Sequence, residues 1–247
     1  MTSDFLTDSP PDPGEKPSAT RQFRRKRLPH FDVPGLVQHI TFHLADSLPR
    51  SAIARMQEEL NTIPEAQQDV ARRQRIQELL DSGLGSCVLG QPACAQIVQD
   101  SLLFGQGDRY HLFAWVVMPN HVHVLIEQIP GWPMWKVVQS WKRHTSRQIH
   151  RLGVSSCTRQ NTDYKSAIPA ILEGASCTRH DADYKSAIPA IPAIPEGALW
   201  QRDYWDRFIR NDRHFQVAKH YIENNPVAAK LTTSPEEWPW SSASFVA

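Results

Sequence analysis

Two histidines one residue apart, His121-Val122-His123, lie in an apolar stretch running from Tyr110 to Glu127. Side chains at i and i+2 leave the same face of a strand, with Cβ atoms about 6–7 Å apart, so on a strand this pair sets two imidazoles side by side. Neutral imidazole nitrogens are good donors to divalent metals, and two of them make half a site. Hydrogen-bonded core or surface histidines can have the same spacing, which leaves both readings open. Near the C-terminal end, Tyr221 and Asn225 are four apart. On a helix they share a face. A phenol one turn from a carboxamide oxygen, brought against a His-x-His strand, has the parts of a nucleophile beside a cation.

The surrounding residues must supply rigid elements for these groups. Phe113 to Met118 and Val122 to Ile126 are rich in β-branched and aromatic residues and are separated by Pro119-Asn120, which predicts a hairpin with Val122 turned into a core. Val37 to Ala45 alternates Ile40, Phe42 and Leu44 against His39, Thr41 and His43, the pattern of a half-buried strand. Helical spacing predicts helices over 51–60, 65–80, 92–104 and 134–152. In the last helix before the end, Asn211 or Asp212 can cap a stripe of Phe215, Ala218 and Ile222. Pro226 is expected to end that helix at Asn225. The tail Trp238-Pro-Trp240 offers aromatics to cover an edge.

Charge is nearly balanced overall, at +1, but not along the chain. The 134–152 segment carries Lys136, Lys142, Arg143, Arg147 and Arg151 and no carboxylate. An unopposed positive field of this kind suits a polyanion, with Trp135 and Trp141 available to stack on unpaired bases. The competing reading packs the tryptophans into the core. Trp200, Tyr204, Arg207 and Arg210, just before the Tyr221 helix, are of types that stack on bases or contact phosphate and guanine. For Trp200 and Phe208 an anchoring role is the stronger expectation.

With 247 residues and 40% hydrophobic content, the chain suits one domain with appendages. Residues 1–28 are read as a Pro-rich arm ending in a basic run from Arg21 to Arg27. The stretch from Ser156 to Ile171 recurs as Ser176 to Ile191, differing only at Gln160/His180, Asn161/Asp181 and Thr162/Ala182. Two copies cannot bury a continuous core, so 153–197 is read as a loop inserted into a domain formed by 29–152 and 198–247. The four cysteines show no metal spacing and are read as reduced thiols. No apolar run is long enough to span a membrane and no secretory signal is visible, so the cytoplasm, at the nucleoid, is the expected location.

Three blocks in order, 115–126 (WVVMPNHVHVLI), 200–210 with Trp200-Gln201, Tyr204, Asp206-Arg207 and Ile209-Arg210, and Tyr221-Ile-x-x-Asn-Pro226, resemble the REP-associated tyrosine transposases of the HUH single-tyrosine superfamily. The resemblance implies an α+β, ferredoxin-like antiparallel sheet with helices packed on one face. It implies Mg²⁺ or Mn²⁺ held by His121, His123 and Asn225, and Tyr221 as the nucleophile that forms a 5′-phosphotyrosine. It also implies single-stranded or hairpin DNA with REP-like palindromes as partner, bound by a monomer or homodimer. The duplicated insert departs from the family pattern.

Two rivals stand beside this reading. One is a domesticated protein that grips hairpin DNA without cutting. The other is a hydrolase with Zn²⁺ on His121 and His123, which needs a further strong ligand and a base and leaves Tyr221 idle.

Overall fold

The hairpin forms where its two apolar runs place it. The computed structural model describes residues 30, 32–152 and 197–245; the N-terminal arm and the body of the duplicated insert lie outside these residues. In chain order the elements are β1 (Val37–His43), α1 (Arg50–Leu60), α2 (Glu65–Asp81), α3 (Pro92–Leu103), β2 (Tyr110–Val117), β3 (His121–Gln128), α4 (Met134–Arg151), β4 (Trp205–Phe208) and α5 (Asp212–Glu223). A helical turn, Asn225–Ala228, follows α5.

The strands form one antiparallel sheet in the order β2-β3-β1-β4. Helices α1 to α3 link β1 to β2, and α4 links β3 to β4, so the element order is βαββαβ. This is the ferredoxin-like split βαβ arrangement.

Register sorts the side chains into two faces. The pairs Phe42↔Val122 and Ile40↔Val124 lie on one face, and His43↔His121, Thr41↔His123 and His39↔Leu125 on the other. The apolar face packs on α3 and α4: Phe42 stacks on Trp141 with ring centroids 6.1 Å apart, and Trp115 Nε1 donates to Gln99 Oε1 on α3. Helix α5 covers the opposite, histidine-bearing face, where Phe215 meets Phe113 edge-on. The helix layer over α3 and α4 is as expected, and α5 adds a cover over the second face.

That second cover corrects the reading of β1. Gln38 to His43 are buried on both faces, because α2 and α5 exclude water from the polar side. The strand β4 was not anticipated, since Trp205-Asp-Arg-Phe208 has no clear alternation. It pairs with β1 through Thr41↔Trp205 and His39↔Arg207.

The end of the Tyr221 helix also differs. Asn211 caps α5, its side chain accepting from His214 N at 2.9 Å, but the helix stops at Glu223, and Asn224 breaks it. Asn225 then opens the next helical turn with Pro226 at its second position. A proline in a first turn removes a backbone donor that has no helical partner anyway, so Asn225 need not leave the helix.

The C-terminal segment closes the β2 edge. Val117 N donates to Trp240 O and Ser242 N to Trp115 O, both at 2.9 Å, while the indole of the fully buried Trp238 donates to Val117 O at 3.0 Å. Ser242 Oγ also donates to Glu223 Oε1 at 2.9 Å, tying this segment to α5. Cys87 and Cys94 are free and buried; Cys157 and Cys177 lie outside the described residues. No helix is long and apolar enough to cross a membrane among the described residues.

Candidate metal and nucleophile site

His121 and His123 are fully buried on the face that α5 covers, and their ring centroids are 4.8 Å apart. The tautomer of each follows from its hydrogen bonds. Asn120 Nδ2 donates to Leu80 O and Leu84 O, both at 3.0 Å, so its Oδ1 is the atom facing His121 Nδ1 at 2.7 Å. His121 therefore carries its proton on Nδ1 and a lone pair on Nε2. That Nε2 has no hydrogen-bond partner.

For His123, a proton on Nδ1 serves Thr41 Oγ1 at 2.8 Å and His39 Nε2 at 3.1 Å. Nε2 then accepts from Gln77 Nε2 at 3.4 Å. Both rings thus carry their lone pair on Nε2, unpartnered in His121 and engaged by a long bond from Gln77 in His123, with outer partners fixing orientation as ligating histidines require. Residues Thr41, Asn120 and Gln77 were missed as supports. Thr41 is legible afterwards, because it shares the β1 face with His39 and His43; nothing in the sequence placed Gln77.

Tyr221 reaches this pair within the same chain. Its ring lies 5.5 Å from His123 and 5.9 Å from His39, both edge-on. Asn225 is buried, and its Oδ1 has no hydrogen-bond partner. Burial raises the Tyr221 phenol well above 10, the charge of Asp81 adds to this, and a hydrogen bond from the Asn225 side chain opposes it. Without a cation the phenol keeps its proton.

Two Nε2 atoms and one amide oxygen, all buried, suit a hard or borderline divalent cation that completes its shell with water or phosphate oxygens. Among the described residues no three His, Cys, Asp or Glu side chains are grouped to hold a metal. The fit therefore depends on the Asn225 oxygen as third donor, and the two orphaned buried atoms are the sign that the residues present accommodate such an ion.

Of the residues expected to touch DNA, the structure scatters several. Trp200 is buried in the core, its indole donating to Thr145 Oγ1 at 2.9 Å, so it has no face to offer a base. Trp141 is likewise internal, donating to Tyr110 OH at 2.9 Å. Lys142 is drawn inward over the Tyr204 ring and donates to Gln201 O and Asp203 O at 3.0 and 2.8 Å. Desolvation lowers its ammonium to about 8; it braces the loop before β4.

Tyr204 is buried and stacked on His30 at 4.1 Å. Lys136, Arg143 and Arg147 remain exposed, but α4 lies across the sheet from Tyr221. Arg207 is paired in register with His39 on the histidine face, whereas the exposed Arg210 lies over the ring of Phe208, 5.7 Å from its centroid, on the other face of β4.

The histidine face also makes a pH prediction. Burial lowers His39 and His121 to about 3 and His43 to about 4. The unfolded chain takes up these protons near 6.5 and the folded chain does not, so stability is full above 6.5 and falls as pH drops toward 4. Each histidine contributes up to about 1.4 kcal/mol per unit. Three together reach roughly 4 kcal/mol per unit, against a total stability of about 5–15 kcal/mol. Melting curves from pH 7.5 to 4.5 should show a steep loss below 6; an unchanged Tm at pH 4.5 contradicts the buried neutral histidines.

Comparison with known proteins bears on the same region. Residues 104–162 match the IS200-like transposase family. The matched segment covers about a quarter of the chain and includes β2, β3 with both histidines, and α4. A solved structure of a REP-associated tyrosine transposase bound to a REP hairpin aligns over 88% of this chain and 82% of that one, with 15% identity and a TM-score of 0.46. No curated protein matches. The transposase-like segment stops short of Tyr221 and Asn225, which the fold alone brings to the histidines.

Proposed function

We propose that the chain is a metal-dependent transposase or nuclease acting on single-stranded or hairpin DNA through Tyr221. The observation that carries this reading is that the His121 and His123 rings lie 4.8 Å apart with His121 Nε2 unpartnered, and that Tyr221, 5.5 Å from His123, is bonded by the side chain of Asn225, whose Oδ1 is unpartnered too. Mg²⁺ or Mn²⁺ bound there would neutralise the non-bridging phosphate oxygens and favour the phenolate.

The chain's own part is then positional. Asn120 and Thr41 fix the two rings, and α5 with its following turn carries Tyr221 and Asn225 on one support. That satisfies the demand for a pre-placed nucleophile. The phenolate oxygen attacks phosphorus, the P–O3′ bond breaks, and the 3′ oxygen leaves as a hydroxyl after taking a proton. The product is a 5′-phosphotyrosine, and because the bond energy is kept, rejoining needs no nucleotide cofactor.

The test is a 5′-flanked hairpin oligonucleotide, labelled and incubated with the protein and Mn²⁺, then run in SDS. A covalent adduct is expected. Turnover without an adduct would turn the reading to hydrolysis, and tight binding without either would favour a domesticated hairpin binder.

The exposed α4 cations make a separate expectation. Replacing Lys136, Arg143 and Arg147 by Ala should weaken binding and lower the salt slope by about 0.7 for each single-strand phosphate that is no longer neutralised. Adduct formation at saturating DNA should stay near the parental level, since α4 is across the sheet. An unchanged slope moves the DNA path off α4.

A further inference from the structure

The end of α2 brings a carboxylate to the histidine pair. Asp81 Oδ1 lies 3.6 Å from His121 Nε2, the nitrogen whose lone pair is fixed by the Asn120 hydrogen bond and which has no hydrogen-bond partner. The imidazole is fully buried and the carboxylate about a quarter exposed, at 26%; a lone pair facing a carboxylate oxygen repels it unless a proton or a cation lies between them.

A divalent cation fits the gap. With metal–nitrogen and metal–oxygen legs of about 2.0–2.2 Å, two ligands of one ion are separated by about 3 Å at a right angle and about 4.2 Å in line. The observed 3.6 Å lies between these limits. Gln77 holds the carboxylate in place: its Nε2 donates to Asp81 Oδ1 at 2.7 Å and also reaches His123 Nε2 at 3.4 Å. One amide thus ties Asp81 to both histidines' side of the site.

We infer that Asp81 is a further ligand of the divalent cation, contributed by a helix outside the sheet and outside the Tyr221 helix. The inference rests on the metal site proposed above; as the described side chains stand, no three His, Cys, Asp or Glu groups are gathered for a metal, so binding draws Asp81 and His123 together on the ion as Gln77 leaves the space between them.

The experiment is Mn²⁺ titration of the full chain without DNA, followed by the paramagnetic resonance signal of free Mn²⁺, for the parent, Asp81→Asn and His123→Ala. Asp100→Asn on the exposed side of α3 is the control. Asp81→Asn keeps size and an oxygen for Gln77, so its metal-free melting should match the parent. Its Mn²⁺ affinity should fall about 10–100-fold, with Asp100→Asn unchanged. Parental Mn²⁺ binding retained within twofold in Asp81→Asn overturns this inference and leaves the His-His-Asn site standing. A parent that binds no Mn²⁺ overturns both.

Discussion

Tyr221→Phe should abolish strand cleavage and the SDS-resistant adduct while folding and DNA binding stay parental. The substitution removes one oxygen and keeps the ring that packs against His123 and His39, so the change in stability is expected to be within about 1 kcal/mol. Loss of the nucleophile removes the covalent step outright, and residual cutting should fall below about a thousandth of parental.

The other tyrosines are poor substitutes for physical reasons. Tyr110 OH donates to Leu102 O at 2.8 Å in the core. Tyr204 is buried against His30, and its phenol is pushed far up by desolvation and the charges of Asp206 and Asp32. Tyr164 and Tyr184 belong to the insert outside the described residues. Tyr204→Phe should therefore still form the adduct. If Tyr221→Phe forms it and Tyr204→Phe does not, the nucleophile is misassigned.

His121→Ala and His123→Ala should each eliminate Mn²⁺ binding in the micromolar range and reduce cleavage by at least about 10²-fold, the scale of removing a cation from the transition state. Asn225→Ala is expected to be milder, because a water can replace its oxygen. The histidine variants remove a buried neutral imidazole and leave a cavity, at about 1–3 kcal/mol, so metal-free protein should remain folded at pH 7.5. Calorimetric titration with Mn²⁺ decides the matter: parental affinity in either variant excludes that histidine as a ligand. Acid melting gives an independent check, since removing His121 takes away one of the groups that resist protonation and should flatten the pH dependence.

The sheet was legible where the sequence has strong periodicity. The β2–β3 hairpin announced itself through two branched apolar runs and a Pro-Asn break, and α3 and α4 through their buried stripes. Strand β4 was not legible, because four residues in mixed order carry no pattern; it exists by pairing with β1.

The site divides in the same way. His121 and His123 were visible as a spacing within one strand and Tyr221 and Asn225 as a spacing that spans α5 and the turn after it, whereas Asp81 and Gln77 approach the site through tertiary proximity that no local pattern records. Charge counting on α4 went astray at Lys142 for a related reason: the segment has no acids, but the carbonyls of Gln201 and Asp203 stand in as acceptors. Aromatic content misled similarly at Trp141 and Trp200, whose indole N–H groups find partners inside the core.

The Trp238 to Ser242 segment has a consequence for the behaviour of the molecule in concentrated solution. By bonding to β2 through Trp115 and Val117 it occupies the outward row of amide and carbonyl groups at that edge, while the opposite edge is a strand of only four residues. An open β2 would be a long, apolar template for the strand of a second molecule. Shortening the chain before Trp238 would therefore open a self-contained sheet to edge-to-edge polymerisation, and it would also remove the Ser242 tie to Glu223 at the end of α5.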